Sequence, residues 1–148
     1  MAKHFQPVSN LVLDQQVLHV FKSWQDWLFN EKKLSKNTRI AYLNDVEAFF
    51  CFFSKHIGSN ISIMSLQQLT ISDLRSFLAY RKRSGLSNTS MARNVSSIRS
   101  FFYFLNKFDH LKNEAINLLT SPKIPQVIPK ALDKDEALSI LEKPSSTT

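Results

Sequence analysis

The chain has 148 residues, about one domain by length, with 43% hydrophobic residues, twelve phenylalanines, two glycines and five prolines. So little turn material argues against a many-stranded sheet and for an all-helical domain with a packed core. A formal charge of +7 points to an anionic partner without choosing among nucleic acid, membrane and acidic protein, while a single cysteine, Cys51, excludes an intramolecular disulfide and reads as a small core residue.

Residues 1–13 contain Pro7, lack the apolar stretch of a signal peptide, and are expected to form a flexible arm. Asp14 then caps a first helix running to about Lys32. Along it Val17, Phe21, Trp24 and Leu28 repeat at helical spacing, and Val20 and Trp27 widen the stripe, so both tryptophans read as core.

Ser35 caps a second helix whose apolar face is Tyr42, Val46, Phe49, Phe50 and Phe53. Its first turn carries Lys36, Asn37, Thr38 and Arg39. Unpaired backbone amides at that end add positive partial charge and make a phosphate site there plausible, although an ordinary solvated helix start has the same composition. Residues 55–69 read as a loop with a weak turn.

Thr70 and Asp73 form a capping-box pattern at the start of a third helix, with Leu74, Phe77 and Leu78 facing inward. Arg81, Lys82 and Arg83 crowd its last turn, where the helix dipole alone favours cations, and Gly85 supplies the left-handed residue that ends it.

Residues 86–105 form the most informative helix. Val95, Ile98, Phe102 and Leu105, with Met91 and Phe101 beside them, make a core face. The opposite side holds Thr89, Ser90, Arg93, Ser96, Ser97 and Ser100, following Ser87 and Asn88, and Phe104 projects near it. From residue 74 to residue 108 there are seven cations (Arg75, Arg81, Lys82, Arg83, Arg93, Arg99 and Lys107) and no carboxylate. Hydroxyls beside unopposed guanidinium groups suit contact with a polyanion. Arg99 borders the apolar face and is the candidate for pairing with an acid on a neighbouring helix.

Asn113 can cap a short helix, after which Pro122, Pro125 and Pro129 break regular structure and predict an extended tether bearing Lys123 and Lys130. Asp133 and Glu136 begin another amphipathic helix that has nothing to pack against, as expected of the first helix of a second domain that is missing. The expected organisation is an arm at 1–13, a compact domain at 14–120, a linker at 121–131 and the start of a further domain at 132–148.

The four histidines are scattered, no glycine loop can cradle phosphate, and nothing positions a catalytic triad, so no catalytic residue, metal or cofactor is expected within these 148 residues. No run approaches the length needed to span a bilayer, and a soluble, cytoplasmic protein is expected.

The segments LSKNTRIAYLNDVEAFFCFF, LTISDLRSFLAYRKRSGLSNTSMARNVSSIRSFFYFL and SPKIPQVIPKALDKDEALSIL resemble successive blocks of the tyrosine recombinase and phage integrase family, nearest to its Xer-type, XerC-like branch. The resemblance implies a SAM-like helical bundle, the core-binding domain, clamping one side of double-stranded DNA. It implies DNA contacts from Lys36, Asn37, Thr38 and Arg39 on the second helix and from Ser87, Asn88, Thr89, Arg93 and Ser97 on the fourth. With the cations read from the sequence, the expected DNA-binding set gains Arg81, Lys82, Arg83, Arg99 and Lys123. Strand exchange, of the chromosome-dimer resolution or integration type, would belong to a catalytic domain absent here, so none of Tyr42, Tyr80 and Tyr103 is its nucleophile. Sister recombinase subunits, four on paired sites, are implied partners. The alternative is a protein-interaction module docking an acidic partner or a sister subunit.

Overall fold

The computed structural model describes residues 12–119 apart from Lys32. The proline tether with Lys123, the helix expected in 132–148 and residues 1–11 of the arm lie outside the described residues. Five α-helices and one short 3-10 helix, with no β-strand, make up the described part: α1 (Gln15–Glu31), α2 (Lys36–Ile57), α3 (Ile63–Gln67), α4 (Ile71–Arg83), α5 (Asn88–Lys107) and a 3-10 turn at Ala115–Leu118.

The predicted start signals act as expected. Asp14 Oδ1 accepts from the Val17 N–H at 2.9 Å, and the Ser35 and Thr70 side chains accept from the amides of Thr38 and Asp73. Asp73 also accepts from the Thr70 N–H, completing the capping box. At Gly85, φ is 97°, and the Leu86 and Gly85 amides turn back to the carbonyls of Arg81 and Lys82. That left-handed residue turns the chain from α4 into α5.

Two readings are corrected here. The stretch 55–69, expected as a loop with a weak turn, is more ordered: α2 continues to Ile57 and ends at Gly58, Ile61 forms a bridge with Leu13, and Ser62 and Ser65 cap the short helix α3 reciprocally. The arm is anchored at its end, because the Ile61 N–H donates to the Val12 carbonyl, the Asp14 N–H donates to the Ile61 carbonyl, and Leu13 is buried. A single bridge and a five-residue helix span too few turns for a periodicity to be read from sequence.

Helix α5 is the pivot, packing on α1, α2, α4 and the 3-10 turn. Its core face is buried as the spacing predicts, and so are Val17, Phe21, Trp24, Leu28, Val46, Phe49, Phe50, Phe53, Leu74 and Phe77 on the other helices. At the centre Phe21 stacks on Trp24, and both meet neighbouring rings edge to face, with Phe21–Phe50 centroids 5.0 Å apart and Trp24–Phe101 centroids 5.4 Å apart. Each such pair contributes about 0.5–1.5 kcal/mol beyond its area burial. Trp27 and Tyr42 are half-buried against this core. Phe104 is a correction: it is buried, between Trp27, Phe108 and His110, and does not face outward. Cys51 is another, lying half-exposed on the outer side of α2 instead of in the core.

Candidate nucleic-acid interface

Helices α2 and α5 cross at a buried polar seam. Asp45, 1% exposed, receives Arg93 Nε on Oδ2 and Arg93 Nη2 on Oδ1, both at 2.8 Å. Asn94 Nδ2 adds a bond to Oδ1 at 3.2 Å and the Ser97 hydroxyl one to Oδ2 at 3.3 Å. This carboxylate raises the Arg93 guanidinium above its ordinary value, through the hydrogen bonds first and charge attraction second, so Arg93 stays protonated.

The seam corrects the picture of a free serine face with unopposed arginines. Ser97 is fully buried and spends its hydroxyl on Asp45 and the Asn94 carbonyl, so it has no surface to offer a duplex. Ser100 faces inward and accepts from the Trp24 indole N–H at 3.3 Å. Arg93, with 38% of its side chain exposed, is opposed by an acid from the other helix. Arg99, expected to pair with an acid, instead donates to the Leu119 carbonyl at 3.3 Å.

The remaining predicted residues fall into two groups at the amino ends of these helices. Lys36 and Asn37 are exposed on the first turn of α2; Thr38 and Arg39 are half-buried there. Thr38 Oγ1 accepts from the Ser35 hydroxyl, and Arg39 donates to the Leu34 carbonyl and lies 4.8 Å over the Phe29 ring. Ser87 and Thr89 are exposed at the start of α5, and Ser87 caps it through the Ser90 N–H. Lys82 and Arg83 are exposed at the end of α4, and Lys82 Nζ donates to Asn88 Oδ1 at 3.0 Å, tying this basic turn to the start of α5.

At 1.5 Å rise per residue, Lys36 lies about 13 Å along α2 from Asp45 and Asn88 about 8 Å along α5 from Arg93. The two groups therefore sit at the amino ends of two helices that meet at the Asp45–Arg93 seam. Each helix amino end adds the partial positive charge of its free amides, which attracts phosphate.

Arg81 is drawn aside. It is half-buried, lies 5.9 Å over Phe77, and lines a hollow of about 380 Å³ with Asn44, Glu47, Cys51 and Lys55. The sequence reading had given Asn44 and Lys55 no part in any site. Their signal was present, since residues 44, 48, 51 and 55 share one helical stripe, but polar stripes also mark any solvated face. Among the described residues no cluster of His, Cys, Asp or Glu can hold a metal, and no helix is long and apolar enough to cross a membrane.

Residues 21–107 match the family described as phage integrase, N-terminal SAM-like domain. The chain is 34% identical over 131 residues to the tyrosine recombinases XerC of Rickettsia typhi and Rickettsia prowazekii, covering 88% of this chain and 43% of each relative. It is 33% identical over 125 residues to the XerC of Rickettsia bellii strain OSU 85-389, covering 84% of this chain and 41% of that protein. The chain thus spans less than half the length of these curated relatives. No solved structure matches it. By the extent of the family match, the helical fold and these relatives, the chain belongs to the phage integrase family, as an N-terminal SAM-like domain of the XerC tyrosine-recombinase type.

Proposed function

We propose that this domain grips duplex DNA for site-specific recombination, with strand exchange carried out by a catalytic domain of the tyrosine-recombinase type. One observation carries the reading. The amino ends of α2 and α5 present Lys36, Asn37, Ser87 and Thr89 to solvent, and Lys82, exposed with Arg83 at the end of α4, is tied to the start of α5 through Asn88. Phosphates are the natural partners of such a surface, and its hydroxyl and amide side chains set register on a backbone without reading bases.

The same proposal takes in chromosome-dimer resolution or integration as the process, and sister recombinase subunits as partners on paired sites. The protein-interaction alternative loses one of its supports, because Phe104 is buried.

A gel-shift titration with duplex DNA at two salt concentrations tests the reading. DNA gripping predicts a complex that weakens steeply with salt, and a flatter slope in Lys36→Ala and Arg83→Ala. No salt-sensitive complex at all would overturn it in favour of an acidic protein partner.

A further inference from the structure

Helices α2 and α5 run past each other in opposite senses: Asp45 meets Arg93 and Asn94, whereas Tyr42, nearly one turn earlier on α2, shares a hollow with Ser96, Arg99 and Ser100, farther along α5. The amino end of α2 therefore lies beside the second half of α5. The hollow there, about 360 Å³, is walled by one aromatic side chain from each of three helices, Trp27 of α1, Tyr42 of α2 and Tyr103 of α5. Trp27 and Tyr103 have ring centroids 6.0 Å apart, and Tyr103 is 52% exposed, so this wall is open to solvent.

Cations flank the rings. Arg99 lines the hollow and gives Nη2 to the Leu119 carbonyl, which holds the rest of its donor fork in place. Lys107 Nζ stands 5.7 Å from the Tyr103 centroid, and Leu34, which also lines the hollow, lies two residues before the exposed Lys36. The Ser100 hydroxyl accepts from the Trp24 indole and keeps its own proton, and Ser96 adds a second hydroxyl.

Aromatic rings flanked by cations form the arrangement that holds single-stranded nucleic acid, in which base faces stack on the rings while phosphates lie on Lys and Arg. A base within a duplex has both faces covered by its neighbours, so only a base out of the stack can use such a wall. An apolar protein segment would cover the rings and leave the cations unanswered. From this juxtaposition we infer that the Trp27–Tyr42–Tyr103 hollow receives one unpaired nucleobase of bound DNA. Arg99 and the two serine hydroxyls serve the acceptor atoms of the base, and Lys36 and Lys107 serve the flanking phosphates. The inference rests on the DNA-gripping reading and extends it: strand exchange requires bases to leave one complement before joining another, and this hollow takes such a base.

The test titrates the 148-residue chain, by fluorescence anisotropy, into three labelled duplexes of one sequence. The first is fully paired, the second carries one extra unpaired thymidine at its centre, and the third has an abasic residue in place of that thymidine. The thymidine bulge should bind about 10-fold more tightly than the paired duplex, the order expected of one stacked base. The abasic bulge interrupts the duplex at the same point but has nothing to stack, so it should bind as the paired duplex does. Tyr103→Ala should abolish the preference and Tyr103→Phe should keep it, with salt-sensitive binding to the paired duplex retained in both. Tyr103 is exposed, so neither substitution opens the core. Equal affinity for the thymidine-bulged and paired duplexes would overturn the base site and leave the gripping reading standing. A preference that survives loss of the base or of the Tyr103 ring would do the same. Absence of any salt-sensitive complex with the paired duplex would overturn the gripping reading itself, and the base site with it.

Discussion

Arg93 holds the buried Asp45 carboxylate with two hydrogen bonds of 2.8 Å, joining helices α2 and α5 across 48 residues of sequence. Asn94 and Ser97 complete the carboxylate's shell from the same side of α5. A buried carboxylate is stable only while its partners stay in place. Arg93→Ala is therefore expected to lower unfolding free energy by about 2–3 kcal/mol, at or below the lower end for a broken buried pair because the guanidinium is partly solvated. Replacing both partners with Asp45→Leu and Arg93→Met should recover most of that loss. Urea unfolding of the two variants checks this, and an unchanged midpoint in Arg93→Ala would mean the clamp holds nothing.

The exposed cations should behave in the opposite way. Lys36 and Arg83 are solvent-exposed, so Lys36→Ala and Arg83→Ala should leave the unfolding free energy within about 0.5 kcal/mol of wild type. Each should still reduce the slope of log affinity for duplex DNA against log salt by about one unit. Parallel binding and unfolding titrations separate the two classes of cation. A slope lost in Arg93→Ala while it remains fully folded, and kept in the other two, would reverse the assignment.

The amino end of α4 sets an acid limit. Burial pushes the Asp73 carboxyl upward, but the Thr70 N–H, the His56 side chain and the Thr70 hydroxyl together outweigh it and hold the group below its ordinary value. His56 Nε2 lies 3.0 Å from Asp73 Oδ1, so the end of α2 is tied to the start of α4. A carboxyl lowered on folding stabilises the native state above its unfolded value, about 3.9, and that stabilisation disappears as pH falls through the folded value. Wild type should accordingly exceed Asp73→Asn in stability near neutral pH, with the gap narrowing as pH drops below about 4. Unfolding midpoints across that range provide the check; a gap that stays constant would remove the carboxylate's charge from the account.

Much of this fold could be read from residue spacing alone. Caps at Asp14, Ser35 and Thr70 and the apolar stripes of α1, α2 and α5 are local signals, each contained within one or two turns of chain. The candidate surface was less legible because its polar residues divide by partners that are remote in sequence. Ser97 and Thr89 look alike on a helical wheel, yet Ser97 is buried against an acid 52 residues away and Thr89 is exposed. Within residues 74–108 there is no carboxylate, so the cations looked unopposed; the opposing acid lies on α2. Phe104 was misplaced for a similar reason, since Trp27 and the turn carrying Phe108 and His110 cover a side of α5 that the wheel leaves open.

Asn113, expected to cap a short helix, sits one residue before the cap position at Glu114 and carries a larger role. Its Oδ1 accepts from the Ala115 N–H at 2.8 Å, starting the 3-10 turn much as a capping residue would. Its Nδ2 reaches across to the carbonyls of Leu66 and Leu69 at 2.8 and 2.9 Å, with Gln67 at 3.2 Å, and so fastens the end of α3 to the segment after α5. Asn106 holds Asn113 in turn, accepting from its N–H and donating to its carbonyl. Removing the side chain leaves buried carbonyls unpaired, so Asn113→Ala should cost about 2–3 kcal/mol. Asn113→Asp is the sharper variant. It keeps the oxygen that starts the turn but places a second oxygen against those carbonyls where a donor stood, so it should be at least as damaging as alanine despite its near-identical shape. Urea unfolding ranks the variants, and amide exchange at Leu69 and Thr70 should accelerate in both. If Asn113→Asp were as stable as wild type, the turn-starting bond alone would account for this residue and the fastening across to α3 would contribute nothing.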